Sequence, residues 1–255
     1  MVPPASSETL VYPTGEARLF FLQKTLTDTL QDPSLPQAIT PILRMWLDTS
    51  YCNWQWLGID QPFQSVIEAK THYYHTTSTP ALWVLEHASV LTVGKTAQKE
   101  ALWQNPWEHT PYKGAIPVVT VSRAGGWTWH GPGQWIIYPL MDVRPYGLRY
   151  LQQALLYWMK HTALALGLKE VQVNTEATHL GVWAKPLNNA GNSQAHRSEA
   201  YKIASCGLHV KAHRQVWHSY HGIALNVSCT LEGFQACNPC GLPASLMQSI
   251  QSLLK

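Results

Sequence analysis

Four glycines and a proline fall inside the run Arg123-Ala124-Gly125-Gly126-Trp127-Thr128-Trp129-His130-Gly131-Pro132-Gly133-Gln134. This density defines a tight backbone path, since glycine admits φ > 0 and lets a ligand or another chain approach bare backbone. Apolar runs at 118–121 and 135–138 flank it, and their lengths and Gly/Pro punctuation read as strands. Arg123, Thr128 and His130 add donors along the path. No Gly-Lys-Ser/Thr follows and G-x-G-x-x-G is absent, so the segment is not a phosphate loop. Taken alone, it fits a structural turn as well as a ligand-lining one.

The rest of the chain supplies a mixture of strands and helices around that path. Residues 1–45 mix Pro, Ser and Thr with one helix-like stretch at 17–29 and read as an N-terminal extension, and the body, 46–255, begins in earnest near Asn53. Phe63, Val66, Ile67, Tyr73 and Tyr74 recur at helical spacing behind Pro62, a residue suited to a helix start. Short runs at 81–85 and 90–93 read as further strands. Leu151, Ala154, Leu155, Trp158, Met159 and Leu166 mark a long amphipathic helix, with Gly167 as its stop. Strands are expected at 181–183, 203–210 and 222–227, and a closing helix at 243–254. Without strict βαβ alternation, these elements imply an α+β domain with a mixed sheet. The stretch Asn188-Asn189-Ala190-Gly191-Asn192-Ser193-Gln194 buries little and reads as a mobile surface loop.

Composition narrows the class. A chain of 255 residues, 45% hydrophobic and 13% charged, suits one sizeable domain and excludes a polyionic or disordered one. Twelve Trp and eleven Tyr are expected as core or cleft walls. A formal charge of +3, without a basic stripe, argues against nucleic acid as a partner but would not repel an acidic protein. No apolar run approaches the ~18 residues of a membrane helix, and the first residues lack a secretory pattern. The first thirty contain one Arg, unlike a transit peptide. Five cysteines, an odd number, do not suggest a disulfide framework, so a cytoplasmic location is expected.

Two further residues carry chemistry. Lys202 heads the apolar run Ile203-Ala204-Ser205-Cys206-Gly207, where its ammonium needs a partner if buried. Cys240 lies at the corner Asn238-Pro239-Cys240-Gly241-Leu242-Pro243, before the expected last helix. A free thiol, with a pKa near 8.5, is only a few per cent thiolate at pH 7. A nearby Lys⁺ lowering that pKa by about two units would favour the thiolate by about 2.7 kcal/mol. Nothing in the spacing alone brings Lys202 to Cys240. Cys237 with Cys240 also spells C-x-x-C, a redox or half-zinc pattern. No second C-x-x-C and no His-x₃-His is suitably spaced to complete a zinc site with it, and it comes late in the chain.

In this order, the motifs resemble the lipoyl(octanoyl) transferase family. Glu86-His87-Ala88-Ser89-Val90-Leu91-Thr92-Val93-Gly94 is similar to the family's EHxPVxTxG, and Arg123 to Gln134 to its RGGxxTxHGPGQ, with Tyr138-Pro139 following. Gly181-Val182-Trp183, Lys202-Ile203-Ala204, His221-Gly222-Ile223-Ala224-Leu225-Asn226-Val227, and Phe234 with Pro239-Cys240-Gly241 complete the likeness, across about 53–243. The resemblance implies the biotin/lipoate protein ligase fold, a mixed sheet flanked by helices. It implies an acyltransferase needing neither cofactor nor metal. Cys240 would take the octanoyl group from octanoyl-acyl carrier protein as a thioester, with Lys202 keeping the sulfur ionised. The acceptor would be a lysine of a lipoyl domain, in a 2-oxo-acid dehydrogenase subunit or a glycine-cleavage H protein. By the same likeness, Arg123, Ala124, Gly125, Gly126, Trp127, Thr128, Trp129, His130, Ser205, Cys206, Gly207, Gly222, Ile223 and Ala224 line the acyl pocket.

Departures from the family pattern are Ala124 for a glycine, Leu180 for a threonine, Cys237 for an apolar residue, and a longer loop at 185–200. Ala124 is tolerable unless its φ is positive, and Cys237 is expected to pack. An ATP-dependent lipoate–protein ligase of the same fold is the nearest alternative, and a scaffold without chemistry another. The Pro-Cys-Gly corner with Lys202 disfavours both.

Overall fold

The computed structural model describes residues 12–99, 116–187, 200–213, 215–237, 239 and 241–255. Cys240, Asn238 and the stretch 188–199 of the expected loop lie outside the described residues.

Strand alternation organises the molecule. In β2 (Ala81–His87), Leu82 and Val84 face one hydrophobic cluster, while Ala81, Trp83 and Leu85 face another. The same period-2 division separates Trp135 and Ile137 from Ile136 and Tyr138 in β6 (Gln134–Leu140). Both strands are buried along their whole length, which suits central positions. Together with β1 (Asn53–Gln61), β7 (Val171–Asn174), β8 (Gly181–Ala184), β9 (Tyr201–His213) and β10 (Val216–Asn226), they form a sheet in the order β1-β2-β6-β10-β9-β8-β7. Only β1 and β2 run parallel; the other neighbours are antiparallel. The mixed sheet expected above is therefore present.

One face of that sheet is covered by α1 (Gly15–Thr29), α2 (Thr40–Leu47) and α5 (Leu148–Ala165). The other is partly covered by α3 (Phe63–Thr76), through Val66 and Tyr74. Beside α3 lies a smaller sheet of β3 (Val90–Val93), β4 (Val118–Thr120) and β5 (Trp127–His130), in the order β4-β3-β5, against which the short helices α4 (Lys95–Lys99) and α6 (Glu232–Gln235) pack Ala97 and Phe234. No helix among the described residues is long and apolar enough to cross a membrane.

The stretch expected as an N-terminal extension is packed into the core. Leu19, Leu22 and Leu26, at helical spacing on α1, are buried in the same cluster as Leu155, Trp158 and Met159 of α5. Polar groups in this contact are satisfied: Thr25 Oγ1 and Thr162 Oγ1 are 3.0 Å apart, and Trp158 Nε1 donates to the Leu22 carbonyl at 3.1 Å. The end of the chain departs from expectation. Residues 243–254 do not form one helix but a 3₁₀ turn (Ala244–Leu246), an extended pair, and α7 (Ile250–Leu254). Tertiary contacts win here: Met247 bridges to Lys202, and the Gln248 amide donates to the Lys202 carbonyl at 3.1 Å. Ser249 then caps α7.

If α1 belongs to the core, Leu22→Ala should destabilise the whole protein by about 2–5 kcal/mol. Urea unfolding followed by far-UV circular dichroism should keep a single transition. A separate early transition for the N-terminal segment would contradict this packing.

Candidate active site

The two sheets enclose a cavity of about 400 Å³. The small sheet and the turn before it contribute Thr92, Val121, Arg123, Thr128 and His130. From the large sheet come Ile136, Tyr138, Ser205, Gly207 and Ala224, and Phe63, at the start of α3, joins them. Thr175, Ala177, Thr178 and Leu180, between β7 and β8, line it too, as does Gln152 of α5. Lys202 also lines the cavity and is only 3% exposed.

Each functional side chain has a local reason for its place. Lys202 leaves β9 across Gly181, where a Cβ would clash with its stem, and its Nζ lies 5.9 Å from the centre of the Trp183 ring. Arg123 is locked against β3: Nη2 donates to the Thr92 carbonyl at 3.0 Å and to Thr92 Oγ1 at 2.9 Å. Ala124 does not have positive φ; that conformation falls on Gly125, at φ 85°. The family glycine is thus replaced where a methyl is tolerated.

His130 is held by a relay whose direction follows from its last member. Asn226 Nδ2 donates to the Gln248 carbonyl at 3.1 Å, and a carbonyl can only accept. Asn226 Oδ1 therefore accepts from Gln134 Nε2 at 2.9 Å, which leaves Gln134 Oε1 to accept from His130 Nδ1 at 2.7 Å. His130 thus carries its proton on Nδ1, and Nε2 keeps a lone pair. The same logic fixes His87: Nδ1 donates to the Gln61 carbonyl at 2.9 Å, so Nε2 accepts from the Tyr138 hydroxyl at 2.7 Å. Phe63 stacks on His130, ring centres 6.3 Å apart.

Burial keeps these rings neutral. It pushes His130 down to about 3, helped by the repulsion that a proton on His87 would add and by the nearby Arg123, and His87 down to about 4. His221, which also lines the cavity, is lowered by burial and then by Lys70 and Arg123. Lys70 is itself buried, 3.7 Å over the Tyr138 ring, and burial brings its pKa down to about 7. Cys206 borders the cavity as well, but its thiol belongs to the core cluster, and burial raises it to about 12 against the opposing pull of Lys202. That leaves it a protonated, inert thiol.

Of the residues expected to line a pocket, Arg123, Ala124, Gly125, Thr128, His130, Ser205, Cys206, Gly207, Gly222, Ile223 and Ala224 surround this one cavity. Gly126, Trp127 and Trp129 do not. Strand alternation sends Trp127 and Trp129 to the opposite face of β5, where Trp129 meets Phe234 edge-on at 5.4 Å, in a cluster with Leu91 and Cys237. Cys237 packs there as expected. Cys240 lies outside the described residues, but its neighbour Pro239 bridges to Trp127. Phe63, Tyr138 and the 175–178 turn line the cavity from outside the motifs expected to do so. Tyr138 stands two positions from Ile136 on an alternating strand, a usable signal; Phe63 arrives through the packing of α3, which leaves no local one.

The three neutral histidines make stability pH-dependent. Their ordinary value is 6.5, so as pH falls from there towards 4 the unfolded chain takes up protons that the folded chain excludes. Unfolding free energy should therefore fall over that interval. Urea titrations at pH 7 and 5 measure it, and His130→Asn should reduce the slope. Equal stability at both pH values would contradict the burial of neutral rings.

Known proteins share this chain's sequence pattern and its fold. The lipoyl protein ligase A/B catalytic domain family matches residues 65–255. The chain is 35% identical over 162 residues to an octanoyltransferase of Alkalilimnicola ehrlichii, covering 64% of this chain and 63% of that protein's length. It is 31% identical to the octanoyltransferases of Rickettsia massiliae, over 68% of this chain and 72% of that one, and of Shewanella baltica, over 76% and 78%. Among solved structures, lipoate-protein ligase A bound with ATP superimposes with a TM-score of 0.50 at 13% identity, covering 79% of this chain and 77% of that one. A T. acidophilum protein with bound lipoic acid gives 0.51, with the same identity and coverage. At that identity the likeness is one of fold. The chain belongs to the lipoyl protein ligase A/B catalytic domain family.

Proposed function

We propose that this enzyme moves an octanoyl group from octanoyl-acyl carrier protein to a lysine of a lipoyl domain, through a thioester on Cys240. The observation that carries the reading is the largely apolar cavity between two sheets with the buried Lys202 in its wall. Saturated carbons gain about 0.8 kcal/mol per buried CH₂, so such a cavity binds an eight-carbon chain mostly through its tail. The octanoyltransferase relatives support the acyl group and the reaction type.

In the first step the Cys240 thiolate attacks the donor carbonyl, and the donor's thiol leaves with a proton from the Lys202 ammonium. In the second, the amine of the target lysine attacks the Cys240 thioester. The cysteine sulfur leaves as thiolate, and the proton lost from the amine returns to Lys202. Backbone N–H groups near Gly207 or Cys240 would hold the oxyanion of each tetrahedral intermediate. His130, neutral and fixed by its relay, contributes shape and an acceptor rather than a charge. The acceptor is a lipoyl domain of a 2-oxo-acid dehydrogenase subunit or a glycine-cleavage H protein.

Transfer to a purified lipoyl domain, with octanoyl-acyl carrier protein and no ATP, tests the reading. Cys240→Ala should abolish it, and Lys202→Ala should lower the rate by at least about 100-fold, in the range of a lost general acid–base. Unchanged turnover in Cys240→Ser would remove the covalent mechanism. Turnover that requires ATP and free octanoate would identify a ligase instead.

A further inference from the structure

Arg18 of α1 lies outside the segment matched to the family and is 2% exposed. Its guanidinium is held between two aromatic faces, 4.5 Å from the centre of Trp56 on β1 and 4.4 Å from that of Trp135 on β6. Arg18 Nη1 pairs with Glu86 Oε1 at 2.7 Å, an ion pair rather than a well-aligned hydrogen bond, and Nε donates to the Pro13 carbonyl at 3.1 Å. The other oxygen of Glu86 accepts the Gly133 amide at 2.6 Å. Gly133 joins the cavity wall to the end of β10. It precedes Gln134, the relay partner of His130, and its carbonyl accepts the amides of Val227 and Ser228 at 3.2 and 3.0 Å, where the chain leaves β10. It has φ 80°, and a Cβ there would strike the Ser228–Cys229 backbone.

We infer that Arg18 is a positioning residue for acyl transfer. Through Glu86 it fixes the Gly131-Pro132-Gly133 turn, and with it the orientation of His130 and the point where the chain leaves β10. This role rests on the reading of the cavity as the acyl site. Held over the Trp56 and Trp135 rings, and tied at Nε to the Pro13 carbonyl, the planar guanidinium brings Nη1 to one place beside Glu86, whereas an ammonium there would be a point charge free to shift. A small displacement of the turn is enough to matter, since misplacing reacting groups by about 1 Å can cost about 100-fold in rate.

The test uses the full chain, with octanoyl-acyl carrier protein as donor and a lipoyl domain as acceptor. Arg18→Lys keeps the buried charge paired and so tests position apart from folding. Its kcat should fall by about tenfold or more with the donor KM within about twofold of wild type, the signature of misplaced groups. Arg18→Met leaves Glu86 buried without its partner, whereas Arg18→Met/Glu86→Gln removes that charge and keeps an acceptor for Gly133. The double variant should regain thermal stability relative to Arg18→Met while kcat remains depressed. The ¹⁵N signals of His130, which report its Nδ1–H tautomer in the wild type, should show a tautomer mixture in Arg18→Lys. Wild-type kcat in a folded Arg18→Lys, or rates that recover in step with melting temperature in the double variant, would overturn the positioning role alone. Wild type that transfers no octanoyl group would overturn the acyl-site reading and this role with it.

Discussion

The relay from His130 through Gln134 and Asn226 to Gln248 holds the site together. Gln134 and Asn226 are each 1% exposed, so an unmade hydrogen bond here would cost the desolvation of a buried polar group. The relay joins the end of β5, the start of β6, the end of β10 and the extended pair before α7. Gln248 closes the circuit, because its amide donates to the carbonyl of Lys202 while its own carbonyl takes the relay's last bond. A neutral histidine on one wall and a buried lysine on another are thereby referred to the same backbone unit.

The division of labour between the sheets follows from alternation. The large sheet gives one face to the helices and the other to the cavity, and the small sheet gives Trp127 and Trp129 to its own cluster and Thr128 and His130 to the cavity. A pocket made this way is walled by strands, which hold positions more tightly than loops. The N-terminal helix enters this arrangement at two levels. Its leucines thicken the core against α5, and Arg18 reaches through to the glycine turn below the relay.

Much of this was legible in the residues. The strands β2, β3, β4, β6, β8, β9 and β10 showed themselves as short punctuated apolar runs and the helices α3 and α5 through helical spacing, whereas the Gly-rich segment, read as a tight path between strands, holds the strand β5 within it. The resemblance to the transferase family also drew together eleven residues that surround one cavity. What was not legible depended on distance in sequence. The helix expected at 243–254 is broken because Met247 and Gln248 find partners at Lys202, 45 and 46 positions earlier. Arg18 looked like part of an appendage because its partner, Glu86, is 68 residues away. The outward face of Trp127 and Trp129 was set by strand orientation, which a motif does not carry.

Whether Cys240 carries the acyl group is read from the intact mass of the protein after incubation with octanoyl-acyl carrier protein and no ATP. A covalent thioester means an octanoyl adduct, about 126 Da by the chemistry of acyl transfer, that hydroxylamine removes and that Cys240→Ala does not form. Folded wild-type protein that gains no mass, or an adduct that persists in Cys240→Ala, would contradict it.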